Sequence, residues 1–278
     1  MTTTLDPRPP QPRPPHAPGP EPVASRLPST LRHGAALARR GIVKTIHSPE
    51  ALIDVTLQPL IFLLLFVFVF GGAIAGSSGD YLQFALPGVL LQTVVFASAG
   101  TGTGLADDLK TGIFDRFRSL PVSRAAPLIG AIGADLVRYV TSGVIMLVFG
   151  MALGYRTDAG VLGVLAAFGL VVAFAFGLCW VFTALAMVVR EPRSVQGLSA
   201  TIMLPLTFAS SVFVPTATMP GWLQAFASVN PVSRTADAVR ALLDGTPAGS
   251  ASVLSLVVSA VVVVIFAPLA VALYRRRT

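Results

Sequence analysis

Cysteine is almost missing. Cys179 stands alone among 278 residues, which excludes an intrachain disulfide and a thiolate metal cluster and leaves the thiol to pack as a small apolar side chain within a helix. Histidine is nearly as scarce: His16, His33 and His47 all lie in the N-terminal region without H-x-x-x-H spacing, so no metal site is expected. The dipeptide Gly-Lys never occurs, which removes the phosphate-cradling P-loop, and neither a G-x-S-x-G elbow nor a carboxylate pair within an apolar run is present to serve a hydrolase. No catalytic residues and no cofactor of its own are therefore expected, and the chain does not read as an enzyme. Charge is short as well, at 12% of residues where soluble domains carry about 25%.

What fills the space is apolar. Hydrophobic residues make up 54% of the chain and fall in runs rather than at amphipathic spacing, the mark of an integral membrane protein. The net charge of +7 does not point to nucleic acid, because seven of the basic groups fall in the first 44 residues and none sits on a groove-reading or base-stacking motif.

Residues 1–28 hold ten of the 22 prolines and no apolar core, so they read as a disordered cytoplasmic tail ahead of a single domain over 29–278. Residues 27–46 set Leu31, Ala35, Ala38 and Ile42 at helical spacing among Arg32, Arg39, Arg40 and Lys44, a basic amphipathic helix suited to an anionic membrane surface. Six spanning segments follow, at 52–75, 84–106, 133–154, 160–189, 195–214 and 251–274. In the first, the eleven residues 60–70 are all Leu, Ile, Phe or Val and favour insertion by roughly 3 to 7 kcal/mol, which outweighs Asp54 and Gln58 near the helix end.

With the N-terminus inside, 17 of the 20 basic residues lie on the inner side, and only Arg156, Arg234 and Arg240 fall on outer loops. Both termini are then cytoplasmic. Asp135 and Arg138, three apart at the inner end of the third span, fit either a mutual ion pair or, the favoured reading, snorkelling toward the interface. In the outer stretch 215–247, Trp222, Leu223 and Phe226 make one apolar face, Asn230-Pro231 breaks the chain, and Val239, Leu242 and Leu243 make a second. Two short helices dipping into the outer interface and a loop packed over the bundle both fit that pattern.

The segment 111–124 is different in kind. Read as a helix, it stacks Ile113, Phe117 and Leu120 with Phe114 beside them and turns Asp115, Arg116, Arg118 and Ser119 the other way, before Pro121 ends it. Nine residues rise only about 14 Å, too little to span, so the segment lies at the surface or fits a partner's groove.

These features together resemble a known family. Leu57-Gln58-Pro59, Phe70-Gly71-Gly72, Leu86-Pro87-Gly88, the run from Gly112 through Phe117 to Pro121, Met219-Pro220-Gly221-Trp222, Asn230-Pro231 and Arg240-Ala241-Leu242 resemble, in order and spacing, the membrane subunit of a type-2 ABC transporter, nearest to the daunorubicin and multidrug-resistance permeases. The likeness covers about residues 30–278. It implies an all-α membrane protein with six transmembrane helices, an N-terminal interfacial helix, a cytoplasmic coupling helix and short outer re-entrant helices around Trp222, Phe226, Asn230 and Pro231. It further implies a bacterial plasma-membrane permease that pairs with a second copy, in a homodimer or pseudo-dimer, and is driven by a separate ABC ATPase holding ATP and Mg. The coupling helix would comprise Gly112, Ile113, Phe114, Asp115, Arg116, Phe117, Arg118, Leu120 and Pro121. Because the second and fifth spans tend to line the dimer interface in that family, Gln92, Ser98, Thr101, Thr103, Ser210 and Ser211 are candidates for the substrate pathway, against the alternative that their hydroxyls bond only their own helices. The expected cargo is drug-like or lipid-like and amphipathic. A polysaccharide or teichoic-acid cargo, and a membrane scaffold with no transport role, are the other readings.

Overall fold

The computed structural model describes residues 49–111, 126–189 and 191–277. The proline-rich tail, the amphipathic helix at 27–46 and the coupling segment 112–121 lie outside the described residues. Among the described residues the chain is helical throughout, without strands. α1 (Pro49–Leu65) continues through a π-helical turn, Phe66–Phe70, into α2 (Gly71–Ala75). There follow α3 (Ser78–Lys110), α4 (Ala126–Ala152), α5 (Val161–Val188) and α6 (Pro192–Phe208). A 3₁₀ turn (Thr216–Thr218) leads into α7 (Gly221–Val229), α8 (Pro231–Leu243) and α9 (Gly249–Arg277).

Five of these helices are long and apolar enough to cross a membrane: Leu57–Ala75, Ser78–Lys110, Gly130–Ala152, Val161–Val188 and Gly249–Tyr274. The sixth expected segment, 195–214, is helical only as far as Phe208. The reason lies in the hydroxyls that follow. Ser210 Oγ donates to Thr207 O and accepts from the Val212 amide at 3.2 Å, while the Ser211 amide donates to Ser233 Oγ at 3.1 Å. Side chains thus take the backbone partners that another helical turn would have used. α6 therefore has 17 residues and rises about 26 Å.

α3 is the hub. Of its most apolar stretch 72% is buried, against 11% for α9, and α1, α4, α5, α6 and α8 all pack on it. At 33 residues it rises about 50 Å, well beyond a 30 Å hydrocarbon core. It begins earlier than its apolar run because Ser77 caps it, accepting from the Asp80 amide at 3.0 Å. Small residues set the closest approach: a Cβ on Gly102 would meet the Phe182 carbonyl of α5 at 2.7 Å, so α3 and α5 touch backbone to backbone. α9 lies along α5 and turns Val261, Val264, Ile265 and Leu269 outward, a face that lipid tails solvate and water would not.

The stretch 215–247, expected on the outer side, folds as two short helices joined at Asn230. Its side chain caps α8 by accepting from the Val232 amide at 2.9 Å, and its Nδ2 donates to Leu206 O at 2.8 Å near the end of α6. Pro231 takes the first helical position, where a missing N–H costs nothing.

Candidate functional site

Between α1, α3, α4 and α6 lies a cavity of about 570 Å³, within the range that holds a drug-sized molecule. α1 supplies Gln58, Pro59 and Phe62; α3 supplies Gln92, Phe96 and Thr103 among others; α6 supplies Gln196, Ser199, Met203 and Phe208; α4 contributes Arg138. The wall thus combines three aromatic rings, three carboxamides and one guanidinium. Among the described residues Arg138 is its sole ionisable lining residue. Ser199 Oγ and Arg138 Nε are buried there without a hydrogen-bond partner.

Past the cavity along both flanking helices comes an aromatic layer. Phe62 stacks on Phe66 with centroids 6.3 Å apart, Phe66 on Phe213 at 4.4 Å, and Phe213 on Phe208 at 5.0 Å. The Tyr81 hydroxyl donates to Phe213 O at 2.8 Å and so fixes this layer to the start of α3.

Beside the layer sits a polar knot centred on Arg240. Its Nε donates to Phe84 O at 2.9 Å, Nη2 to Ser211 O at 2.5 Å and Val212 O at 3.1 Å, and Nη1 to Asp237 at 2.8 Å, while the guanidinium carbon lies 4.0 Å from the Phe84 ring centroid. Counted among the outer-loop charges from the sequence, Arg240 is in fact only 12% exposed. Burial pulls its pKa below the ordinary value and the carboxylates of Asp237 and Asp244 push the other way; an arginine stays charged in either case. Gly88 is what lets the knot close, since a Cβ there would meet Val212 O at 2.6 Å and Arg240 Nη2 at 3.0 Å.

On the far side of Arg138 a second network joins α3, α4 and α5. Asp135 Oδ1 pairs with Arg138 at 2.9 Å, and Thr101 donates to Asp135 Oδ2 at 2.5 Å. With its one hydrogen so used, Thr101 accepts from the Tyr139 hydroxyl at 2.7 Å, and Cys179 lies 3.2 Å from that same hydroxyl. The expected snorkelling of Asp135 and Arg138 is therefore corrected. Both side chains are turned into the bundle, 17% and 19% exposed, because a paired charge with further hydrogen bonds is tolerated inside where a lone one is not.

The six pathway candidates scatter. Gln92 and Thr103 line the cavity, Thr103 also donating to Ala99 O at 3.4 Å. Ser98 is fully buried and donates to Val95 O at 2.6 Å. Thr101 belongs to the Asp135–Arg138 network, and Ser210 and Ser211 belong to the stretch at the Arg240 knot, where Ser211 Oγ donates to Asp237 at 2.8 Å. Of the outer residues, Trp222 is 75% exposed and Phe226 41%, while Asn230 is the buried joint. Sequence reasoning missed Gln58, Gln196, Phe62, Phe96, Phe208 and Arg138 as cavity wall. The spacing of Gln196, Ser199, Met203 and Phe208 along one side of α6 was the available signal.

The family described as ABC-2 type transporter matches residues 33–243. The chain is 43% identical over 268 residues to a daunorubicin resistance ABC transporter permease protein of Streptomyces coeruleorubidus, covering 92% of this chain and 95% of that one. It is 29% identical over 232 residues to a doxorubicin resistance ABC transporter permease protein of Mycobacterium tuberculosis, covering 81% and 80%. A putative transport permease of Cyanophora paradoxa is 27% identical over 211 residues, covering 74% and 72%.

Proposed function

Since the chain belongs to the ABC-2 type transporter family, we propose that it is the permease subunit of an ATP-driven exporter that moves a drug-like or lipid-like amphipathic molecule out of the cytoplasm. The observation that carries this reading is the cavity: an aromatic and carboxamide-lined space inside a multi-pass membrane bundle, closed on one side by stacked rings. Relatives named for daunorubicin and doxorubicin resistance support a cargo of that class. A volume of about 570 Å³ suits one such molecule better than a polysaccharide chain, and a scaffold has no use for it.

ATP and Mg belong, in this proposal, to a separate ABC ATPase. The permease pairs with a second copy in a bacterial plasma membrane, with both termini cytoplasmic, an orientation that the excess of basic residues on one side supports. A sixth crossing is supported by what α6 touches at its two ends. Glu191, just before α6, pairs with Lys110 at the end of α3 at 2.8 Å. Past its other end, Val212 and Phe213 meet Gly88 and Tyr81 near the start of α3. The stretch 191–213 thus runs the length of α3 in the opposite direction.

The working cycle follows from this layout. Nucleotide-driven closure of the ATPase moves the coupling segment 112–121, which is joined directly to the Lys110 end of α3. α3 carries one wall of the cavity and, at its far end, Gly88 and Tyr81, the residues that meet the knot and the aromatic layer. Movement at one end is thereby delivered to the outer closure. Phe114, Phe117 and Leu120 supply the apolar anchor in the ATPase, and Asp115, Arg116 and Arg118 set its register. A Phe117→Asp variant is expected to reach the membrane yet lose both export and co-purification of the ATPase. Export at the wild-type rate by that variant would remove the coupling role.

A further inference from the structure

We propose that the base of α6 is clamped to the end of α3 by a joint that Val195 and Tyr274 close. A stroke entering at the segment after Lys110 then carries α6, a second wall of the cavity, along with α3. This deepens the exporter reading and rests on it.

Register is what places the joint. Ala106 and Lys110 lie four apart on α3, and Glu191 and Val195 lie four apart at the start of α6, so each pair shares one side of its helix. Glu191 holds Lys110 at 2.8 Å, and Val195 packs with Leu105 and Ala106. The two helix ends therefore meet along one antiparallel stripe. On α6 the two contacts form a single unit, because the Glu191 carbonyl accepts from the Ser194 amide at 3.0 Å and the Val195 amide at 3.1 Å.

Ala186 and Met187 of α5 and Tyr274 of α9 complete this cluster, which is separate from the main core. α9 turns Val261, Val264, Ile265 and Leu269 outward, yet at its end it buries the Tyr274 ring to 3% exposure. Only residues 189–191 separate α5 from α6, so holding the end of α5 also holds the start of α6. Burial of apolar side chains is what closes the joint, since the ion pair beside it is exposed and contributes little.

Directly beyond the joint the same two helices part. Gly104, next to Leu105, and Gln196, next to Val195, already line the cavity, and a Cβ on Gly104 would meet nothing within 4 Å. The joint is thus the floor of the cavity between α3 and α6, where the motion of one wall passes to the other. Val195 and Tyr274 are positioning residues, and neither lines the cavity itself.

The test uses the full permease–ATPase complex. Nitroxides on Asp107→Cys/Ser194→Cys, exposed positions flanking the joint, report the separation of the two helix ends by pulsed electron paramagnetic resonance in lipid nanodiscs. One narrow separation is expected with and without ATP and vanadate, and a broadened one when Val195→Ala/Tyr274→Ala is added. In inside-out vesicles, movement of a fluorescent dihydroxyanthraquinone per ATP hydrolysed should fall about threefold to tenfold in Val195→Ala/Tyr274→Ala, the range of a coupling contact. A mere loss of folded complex lowers both rates and leaves that ratio unchanged. A short bis-maleimide joining Lys110→Cys to Glu191→Cys is expected to restore the ratio, and Cys179 is fully buried and stays unmodified. A separation that changes with nucleotide, loss of movement when the joint is cross-linked with its apolar cluster intact, or an unchanged ratio in Val195→Ala/Tyr274→Ala overturns the proposal. The first two need no substitution in the cluster, so they decide even where the double alanine variant is not recovered folded. A constant separation that broadens in that variant, with no probe movement by the wild-type complex, indicts the exporter reading and leaves the joint standing.

Discussion

At the level of single residues, the knot around Arg240 is where the structure is least forgiving. Arg240 satisfies the carbonyls of Phe84, Ser211 and Val212 from two separate stretches of chain, so removing it strands buried acceptors and leaves Asp237 without its cation. Arg240→Met is expected to lower stability by about 3 kcal/mol, read as a fall in the thermal unfolding midpoint in detergent. Gly88→Ala tests the same contact from the other side. Because its Cβ would sit 2.6 Å from Val212 O, backbone that cannot swing away, the cost is expected at about 1 to 3 kcal/mol. Gly169→Ala is the contrast: nothing lies within 4 Å of its Cβ, and in the interior of α5 the change should be neutral or slightly stabilising. Equal losses from the two alanines would mean that the close approach at Gly88 contributes nothing.

At the level of elements, α6 is a thinly held wall of the cavity. It buries a single stripe, Val195, Ser199, Met203 and Thr207; at its base Val195 shares a small apolar cluster with Leu105 and Ala106 of α3, beside an exposed ion pair, Lys110 with Glu191, 55% and 51% exposed. Such pairs contribute little, so Lys110→Ala should change stability by less than about 1 kcal/mol; a large fall in the unfolding midpoint would show that the tie is structural. The same helix marks how far the sequence could be read. Continuous apolar runs such as 60–70 announce their helices, because insertion depends on composition. α6 mixes Gln196, Thr201 and Pro205 with its apolar residues, and its helix ends early as Ser210 bonds back to Thr207 and Ser211 reaches Ser233 and Asp237 of α8, the second a contact no local pattern contains. Asn230-Pro231 and the apolar faces around it fitted two short helices and a packed loop alike; the structure shows the helices, α7 and α8. The cavity was not, since Gln58, Arg138 and Gln196 converge from three helices distant in the chain. The motifs Leu86-Pro87-Gly88 and Arg240-Ala241-Leu242 stood apart in the sequence and turn out to be two halves of one contact.

At the level of the whole molecule, everything hangs on which ends of the bundle face which side. α3 has Lys110, leading to the segment proposed to couple to the ATPase, at one end and Tyr81 with the aromatic layer at the other, and the chain from Glu191 to Phe213 runs back along it. If that return is a crossing, Ser194 and Thr218 lie on opposite sides of the membrane; if α6 is a buried hairpin limb, both lie on one side. Single cysteines at these positions, treated with a membrane-impermeant maleimide, separate the two cases, and the native Cys179 does not interfere because it is fully buried. Thr218→Cys should label in intact cells and Ser194→Cys only in inside-out vesicles. Because Thr218 follows the knot directly, its labelling side also fixes where the aromatic layer sits. Labelling of both cysteines from the cytoplasm would place the stacked rings of Phe66, Phe208 and Phe213 at the entrance of the cavity and reverse the direction in which the cargo is moved.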